Sequence, residues 1–246
     1  MNPAVSVVVS HYDRRAWLPE ALASIASQTF RDYEVIVVSD AGPPVDVPAD
    51  VRVVRRSARG GVAAVRNTGI AAARGARITY LDDDDLWEPR HLECLSAALD
   101  QGASLAYGDA RIVRLGRGEG APRTWPVLEQ LVLAVPFDHD DLARDDFVVP
   151  GGMMHTRALY DEVGSFDESL FVSDDWDWLL RAVRVTEFVR VPEVVITVRI
   201  HGDNLSALQD PRRRQALDTL ETRHGTPHLE PKTFWEVAKT YAARVQ

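Results

Sequence analysis

An α/β fold with a mostly parallel central sheet is predicted by three observations. Apolar runs of strand length alternate with helical patterns through the first hundred residues. The apolar run 77–81 stops abruptly at Asp82-Asp83-Asp84-Asp85, so these carboxylates fall at a strand's carboxyl end, where open α/β sheets bind ligands. The chain of 246 residues, 46% hydrophobic, can bury a full core.

The elements follow in order. Residues 5–9 read as a buried strand, and Leu18, Leu22 and Ile25 then fall at i, i+4 and i+7 on a helix with Pro19 in its first turn. Residues 33–38 form the next strand. This β-α-β order implies a parallel pair with a right-handed crossover, so Ser10-His11-Tyr12 and Ser39-Asp40 reach one rim. Residues 51–54 and 78–81 add strands, and between them a helix opens at Arg59-Gly60-Gly61, carries Arg66 and Asn67, and closes near Gly75. Residues 1–109 therefore form a nucleotide-binding half whose rim carries Ser10, Tyr12, Asp40, Arg66 and the acidic run.

The second half has a different texture. Residues 105–107 and 112–113 look like strands, followed by a glycine-rich turn at 116–120 and an irregular segment to about Phe147. That segment holds Trp125, Asp138, Asp140, Asp141, Asp145 and Asp146. These acids would favour a cationic acceptor if they faced a site; their ordinary reading is solvent-exposed loop charge. Beyond Asp210, the spacings of Leu217, Leu220, Phe234, Val237 and Tyr241 predict two C-terminal helices separated at Gly225-Thr226-Pro227. The expected division is a domain at 1–206, with halves 1–109 and 110–206, and a helical extension at 207–246.

A net charge of -9 argues against a nucleic-acid surface, whose affinity comes largely from Lys and Arg. The single cysteine, Cys94, cannot pair within the chain and lies in an apolar helical pattern, which fits a reducing compartment. No signal-peptide pattern precedes the first strand and no apolar stretch approaches ~20 residues, so a cytoplasmic protein is expected. Arg212-Arg213-Arg214 reads as a solvated helix face, which makes membrane contact at most peripheral. The sequence carries no sign of oligomeric state. The turn Ser10-His11-Tyr12-Asp13 lacks the glycine spacing of a dinucleotide-binding loop, which disfavours a nicotinamide-dependent oxidoreductase.

Two readings fit the acidic run. Two unit charges ~4 Å apart near a protein surface repel by roughly 4 kcal/mol, so four consecutive carboxylates call for a cation. Oxygen ligands suit Mg²⁺ or Mn²⁺, which can also hold a substrate diphosphate. Alternatively, the run is a solvated turn leading into the helix after Trp87-Glu88-Pro89.

Several segments together resemble the family 2 glycosyltransferases of GT-A fold. They are residues 6–13 (Ser-Val-Val-Val-Ser-His-Tyr-Asp), Gln28-Thr29-Phe30 with the strand ending in Ser39-Asp40, Arg66-Asn67, and Leu81-Asp82-Asp83-Asp84-Asp85. Downstream come Val163-Gly164-Ser165-Phe166-Asp167-Glu168, Asp174-Asp175-Trp176-Asp177-Trp178-Leu179-Leu180-Arg181, and Arg199-Ile200-His201-Gly202-Asp203-Asn204-Leu205-Ser206. The resemblance covers about residues 4–206.

The resemblance implies a Rossmann-like GT-A sandwich and an inverting, metal-dependent transferase using a nucleotide-sugar donor. Asp40 would accept a hydrogen bond from the base, Ser10 and Tyr12 would wall it, and Arg66 would lie near the nucleotide. Asp82 and Asp84 match the outer positions of an Asp-x-Asp motif with Asp83 between them. This makes Asp84 a metal ligand, Asp82 a ribose or metal contact, and His201 a second metal or diphosphate contact. Gly151-Gly152-Met153 resembles a loop approaching the donor sugar. Asp175 would be the general base, with Asp174 a second candidate or an orienting group; both acids also suit a helix start.

The pattern departs from the family at Ser10-His11-Tyr12-Asp13 and at Ser39, where an acid is common. A UDP- or dTDP-sugar is the favoured donor, and the acceptor is a glycan, a lipid-linked sugar or a small molecule. The alternative is a non-catalytic nucleotide-sugar or carbohydrate binding module of the same fold.

Overall fold

The computed structural model describes residues 2–14, 16–202, 204 and 211–244. The expected boundary at 206/207 and the motif residues Asp203, Leu205 and Ser206 lie outside them.

The amino-terminal half alternates as expected: β1 (Val5–His11), α1 (Leu18–Ala26), β2 (Tyr33–Ser39), β3 (Val51–Arg55), α2 (Gly61–Ala72), β4 (Arg77–Asp82), β5 (Leu86–Trp87) and α3 (His91–Asp100). All seven residues of β1 are buried. A parallel strand covered on both faces needs a continuous apolar run, which is why Val-Ser-Val-Val-Val shows no polar alternation. Helix α2 packs closely on β1 and β2 because Gly69 has no side chain; a Cβ there would lie 2.3 Å from Val8 Cγ1. Cys94 is buried in α3.

The remaining elements are β6 (Leu105–Leu115), β7 (Val127–Leu133), α4 (His139–Leu142), β8 (Met153–Thr156), α5 (Arg157–Val163), α6 (Asp174–Ala182), β9 (Phe188–Ile200), α7 (Pro211–His224) and α8 (Phe234–Ala242). One sheet runs in the order β3-β2-β1-β4-β8-β6-β9-β5, with β7 added on β6. Strands β1, β2, β3 and β4 are mutually parallel, as are β6 and β9, whereas β8, β5 and β7 run against their neighbours. From β1 the chain moves outward to β2 and β3, then returns through α2 to β4 on the other side of β1. The carboxyl ends of β1 and β4 therefore flank the topological switch point, with Ser10 opposite Asp82.

The irregular segment and the two short strands are corrected. Residues 105–115 make one strand, whose apolar pattern is interrupted where its register with β9 shifts at Gly108 and Asp109. Arg190 satisfies Asp109 there with bonds of 2.7 and 2.8 Å. The segment to Phe147 contains β7 and the short helix α4. Most of β7 is exposed on both faces, so it has no alternation to read.

The two C-terminal helices bury Leu217, Leu220, Val237 and Tyr241. Arg214 pairs with Asp218 and Glu221, while Arg212 lies 3.3 Å from the Phe171 ring centroid. Among the described residues, no helix is long and apolar enough to cross a membrane.

Candidate functional site

A cleft of about 540 Å³ opens at the switch point, bringing Ser10, Tyr12, Asp40, Arg66, the acidic run and Asp174-Asp175 onto its walls. Three non-glycine residues among those described have positive φ: Asp13 (52°), Ala41 (58°) and Ser173 (63°). They stand just after β1, just after β2 and just before α6. Strained backbone at these turns is consistent with side chains held for a task.

The acidic run divides by direction. Asp83 Oδ2 is 2.6 Å from His11 Nδ1, while Asp85 Oδ1 accepts the Arg199 backbone N–H at 2.9 Å. Asp84 Oδ2 lies 3.1 Å from His201 Nε2, accepts Asn204 Nδ2 at 3.0 Å, and is contacted by the Arg14 guanidinium. Although burial alone would raise Asp84, His201 and Arg14 hold it below the usual carboxylate range. Burial pushes Asp82 up to about 6, against the pull of Arg66. His201 is not a surface histidine: its side chain is 2% exposed and stacks on Trp17 with ring centroids 4.3 Å apart.

The chemistry of these donors fits one hard divalent ion. Asp84 and His201 offer adjacent oxygen and nitrogen donors, Asp82 adds a nearby carboxyl, and Mg²⁺ or Mn²⁺ commonly completes its coordination with substrate phosphates. Among the described residues no three His, Cys, Asp or Glu side chains already converge as a cage. Arg14 holds the Asp84 oxygen instead.

Asp40 is 3% exposed and its acceptor capacity is heavily used. Oδ1 accepts Arg56 Nε at 3.0 Å and Gly60 N–H at 2.9 Å, while Oδ2 accepts Gly60 N–H at 3.1 Å and Gly61 N–H at 2.9 Å. It thereby fixes the start of α2, where a carboxylate also complements the helix dipole. Tyr12 is 42% exposed, with Arg59 4.0 Å above its ring. Ser10 Oγ is buried and makes no hydrogen bond.

Arg66 lines the same cleft and reaches across it to the two acids at the start of α6. Its Nη1 donates to Asp174 Oδ2 at 2.8 Å and lies 3.6 Å from Asp175 Oδ2. Burial pushes Asp174 up to about 7 against the pull of Arg66. Asp175 is the more open of the two, with a 19% exposed side chain against 7%. Helix α6 begins at Asp174, and Asp177 pairs with Arg181 at 3.0 Å as its spacing implies.

Asp177 is also completely buried, and accepts Arg223 Nη1 at 2.7 Å while lying 2.9 Å from His224 Nε2. The carboxyl end of α7 thus clamps the acidic helix.

Gly152 faces the core: a Cβ there would lie 3.1 Å from Ile196 Cγ2. Pro150 lines the cleft just before it.

Asp145 and Asp146 are corrected from exposed loop charges to cleft-lining residues, whereas Asp138 and Asp140 are exposed. Lys232 Nζ donates to Asp145 at 2.6 Å and draws the loop inward. Sequence reading also missed Arg14, Asn204 and Arg199. Arg199 is buried and joins the turn to α1, donating through Nε to the Asp84 carbonyl and through Nη1 to Glu20, each at 2.5 Å.

A family model described as glycosyl transferase family 2 matches residues 6–163, more than half of the chain. The uncharacterized glycosyltransferase YwdF of Bacillus subtilis is 36% identical over 239 residues, covering 94% of this chain and 87% of its own. Among solved structures, S. aureus TarS 1-349 in complex with UDP-GlcNAc aligns with a TM-score of 0.67 and 18% identity, covering 99% of this chain and 71% of that one. The mannosyltransferase PcManGT from Pyrobaculum calidifontis, in complex with GDP-Man and Mn2+, aligns with a TM-score of 0.63 and 20% identity over 98% of this chain and 70% of its own. These two share the GT-A fold with this chain. The YwdF similarity and the model match carry the assignment further: the chain is a glycosyltransferase of family 2.

Proposed function

We propose that the chain moves a sugar from a nucleoside-diphosphate sugar, UDP- or dTDP-linked, to an acceptor hydroxyl with inversion at the anomeric carbon. The observation that carries this reading is the unequal use of two adjacent acids in the cleft. Arg66 engages Asp174 at 2.8 Å, while Asp175 stands further off and more open. Asp175 is then the base that takes the acceptor proton, and Asp174 orients it through Arg66. Residues 1–206 would hold this machinery, with 207–246 as an added wall.

On the other side of the cleft, Asp84 and His201, with Asp82 near them, would hold Mn²⁺ or Mg²⁺. Such an ion neutralises the charge that builds on the leaving diphosphate. Ser10 and Tyr12 line the place for the nucleoside, with the buried Ser10 hydroxyl free to bond to it. Asp40 supports the base-binding rim through Gly60 and Gly61, and a bond from the base to Asp40 requires one of these to yield. The ligands of TarS and PcManGT support a nucleotide-sugar donor as a class.

The test is nucleoside diphosphate release from a panel of UDP-, dTDP- and GDP-sugars with Mn²⁺, Mg²⁺ or a chelator, comparing wild type with Asp84→Asn and Asp175→Asn. Metal-dependent release from one donor class, lost in both variants, is the expected result. Release that persists in Asp175→Asn would remove that residue as the base. A protein that neither binds nor cleaves any of these donors would sink the reading.

A further inference from the structure

Asp146 is a carboxyl in the cleft to which neither the fold nor the proposed reaction yet gives a task. It follows α4 on the loop leading to Pro150 and shares the cleft wall with Asp174, Asp175 and Arg66. The loop is pinned on both sides of it. Asp145 is held by Lys232 at 2.6 Å and by the Tyr241 hydroxyl at 3.4 Å, while Phe147 and Val148 are buried in the core. The Asp146 side chain is therefore placed by its surroundings, yet its buried Oδ1 has no hydrogen-bond partner. Leaving a buried polar atom unpaired costs roughly 1–3 kcal/mol, so proteins generally satisfy such atoms or use them.

The charges around it fix what it can offer. Asp174 and Asp175 face it from α6, Asp145 adjoins it on its own loop, and Arg66 supplies positive charge from α2. Lys232 is already bonded to Asp145. Carboxylates crowded in a poorly solvated site cannot all ionise. Burial, with Asp175 adding to it, pushes Asp146 above the usual carboxylate range, which favours its protonated, hydrogen-bond-donating form.

We propose that the Asp146 carboxyl donates a hydrogen bond to the oxygen of the attacking hydroxyl, while Asp175 accepts that hydroxyl's proton. The assignment rests on the transfer reading above. As the oxygen bonds to the anomeric carbon, the bond from that carbon to the diphosphate oxygen breaks and its electron pair leaves with the diphosphate. The hydroxyl proton passes to Asp175, and the Asp146 proton stays in place. One carboxyl then orients the nucleophile and the other deprotonates it, a division of labour set by their surroundings.

Donor hydrolysis tests this without a known acceptor, because water is then the attacking hydroxyl. The probe is whichever UDP-, dTDP- or GDP-sugar the wild type cleaves, and the variants are Asp146→Ala and Asp146→Asn. Asp146→Ala is expected to lower kcat about tenfold or more at unchanged donor KM, whereas Asp146→Asn, which keeps an N–H donor there, retains about a third of kcat or better. The ligand-free Tm of Asp146→Asn is expected to match that of the wild type, since a neutral amide replaces a protonated carboxyl of the same shape where the side chain has no partner to lose.

Equal kcat in Asp146→Ala and wild type would overturn the assignment alone, leaving the transfer reading intact. An Asn variant as slow as the Ala variant would overturn it too, because charge rather than hydrogen-bond donation would then matter. A lowered ligand-free Tm in Asp146→Asn would show a structural role and likewise refute it. A wild type that releases nothing from any donor would overturn the transfer reading and this assignment together.

Discussion

Arg66 lies 2.8 Å from Asp174 and 3.6 Å from Asp175, tying helix α2 to the start of α6 through a buried guanidinium. Burial alone would weaken its charge, but Asp174, Asp175 and Asp82 keep it firmly protonated. Removing one partner of a buried ion pair leaves the other desolvated and unpaired. Arg66→Met is therefore expected to lower stability by about 3–5 kcal/mol in urea denaturation. Combined with Asp174→Asn, the loss should be smaller than the sum of the single losses. Additive losses would mean that the two side chains do not depend on each other.

Asp177 predicts a specific acid sensitivity. Burial would raise it, but His224, Arg223 and Arg181 hold it down to about 2. A carboxyl depressed in the folded state contributes its full stability above its unfolded value near 4, and loses it as pH falls through the folded value. Wild type should thus exceed Asp177→Asn by about 2 kcal/mol at neutral pH, with the gap closing between about pH 4 and about pH 2. Chemical denaturation across that range checks it, and a gap independent of pH would contradict the assignment.

Arg14 competes for the Asp84 oxygen that a divalent ion would use. Replacing it by Gln should raise the affinity of the nucleotide-free protein for Mn²⁺ about tenfold, since a neutral side chain no longer neutralises the site. Titration followed by the paramagnetic signal of free Mn²⁺ measures this directly. The same titration on Asp84→Asn should show no tight site.

Gly69 sets how closely α2 approaches the sheet. Its missing Cβ would press on both Val8 and Val38, the former at 2.3 Å. Gly69→Ala should cost about 1–3 kcal/mol in spite of alanine's better helix propensity, because the interface is overpacked. A thermal midpoint at or above that of the wild type would refute this.

The sequence made β1 and β4 legible because parallel strands buried on both faces leave unbroken apolar runs. Asp84 and His201 stood out through short motifs just past the carboxyl ends of β4 and β9, and Asp174 and Asp175 through a motif at the start of α6. Arg14 did not, since its place depends on a loop that turns through Asp13 in a left-handed conformation. Asp146 was misread for a related reason: the groups that pull its loop inward, Lys232 and Tyr241, come from the C-terminal segment. A local signal did exist in Asp145-Asp146-Phe147-Val148, where two acids directly precede a buried apolar pair. Acids so close to core residues seldom extend freely into water.

Arg199 holds the acidic turn with one edge of its guanidinium and Glu20 with another, across 179 residues of sequence. The loop entropy of joining such distant positions must be met before the turn acquires its final shape. During synthesis the early strands can pair and bury their apolar faces while Asp84 still lacks Arg199, His201 and Asn204. The cleft around Asp84 therefore completes late and nearly all at once, so a ribosome-bound chain halted before Arg199 would carry a largely assembled amino-terminal half whose acidic turn still lacks its partners.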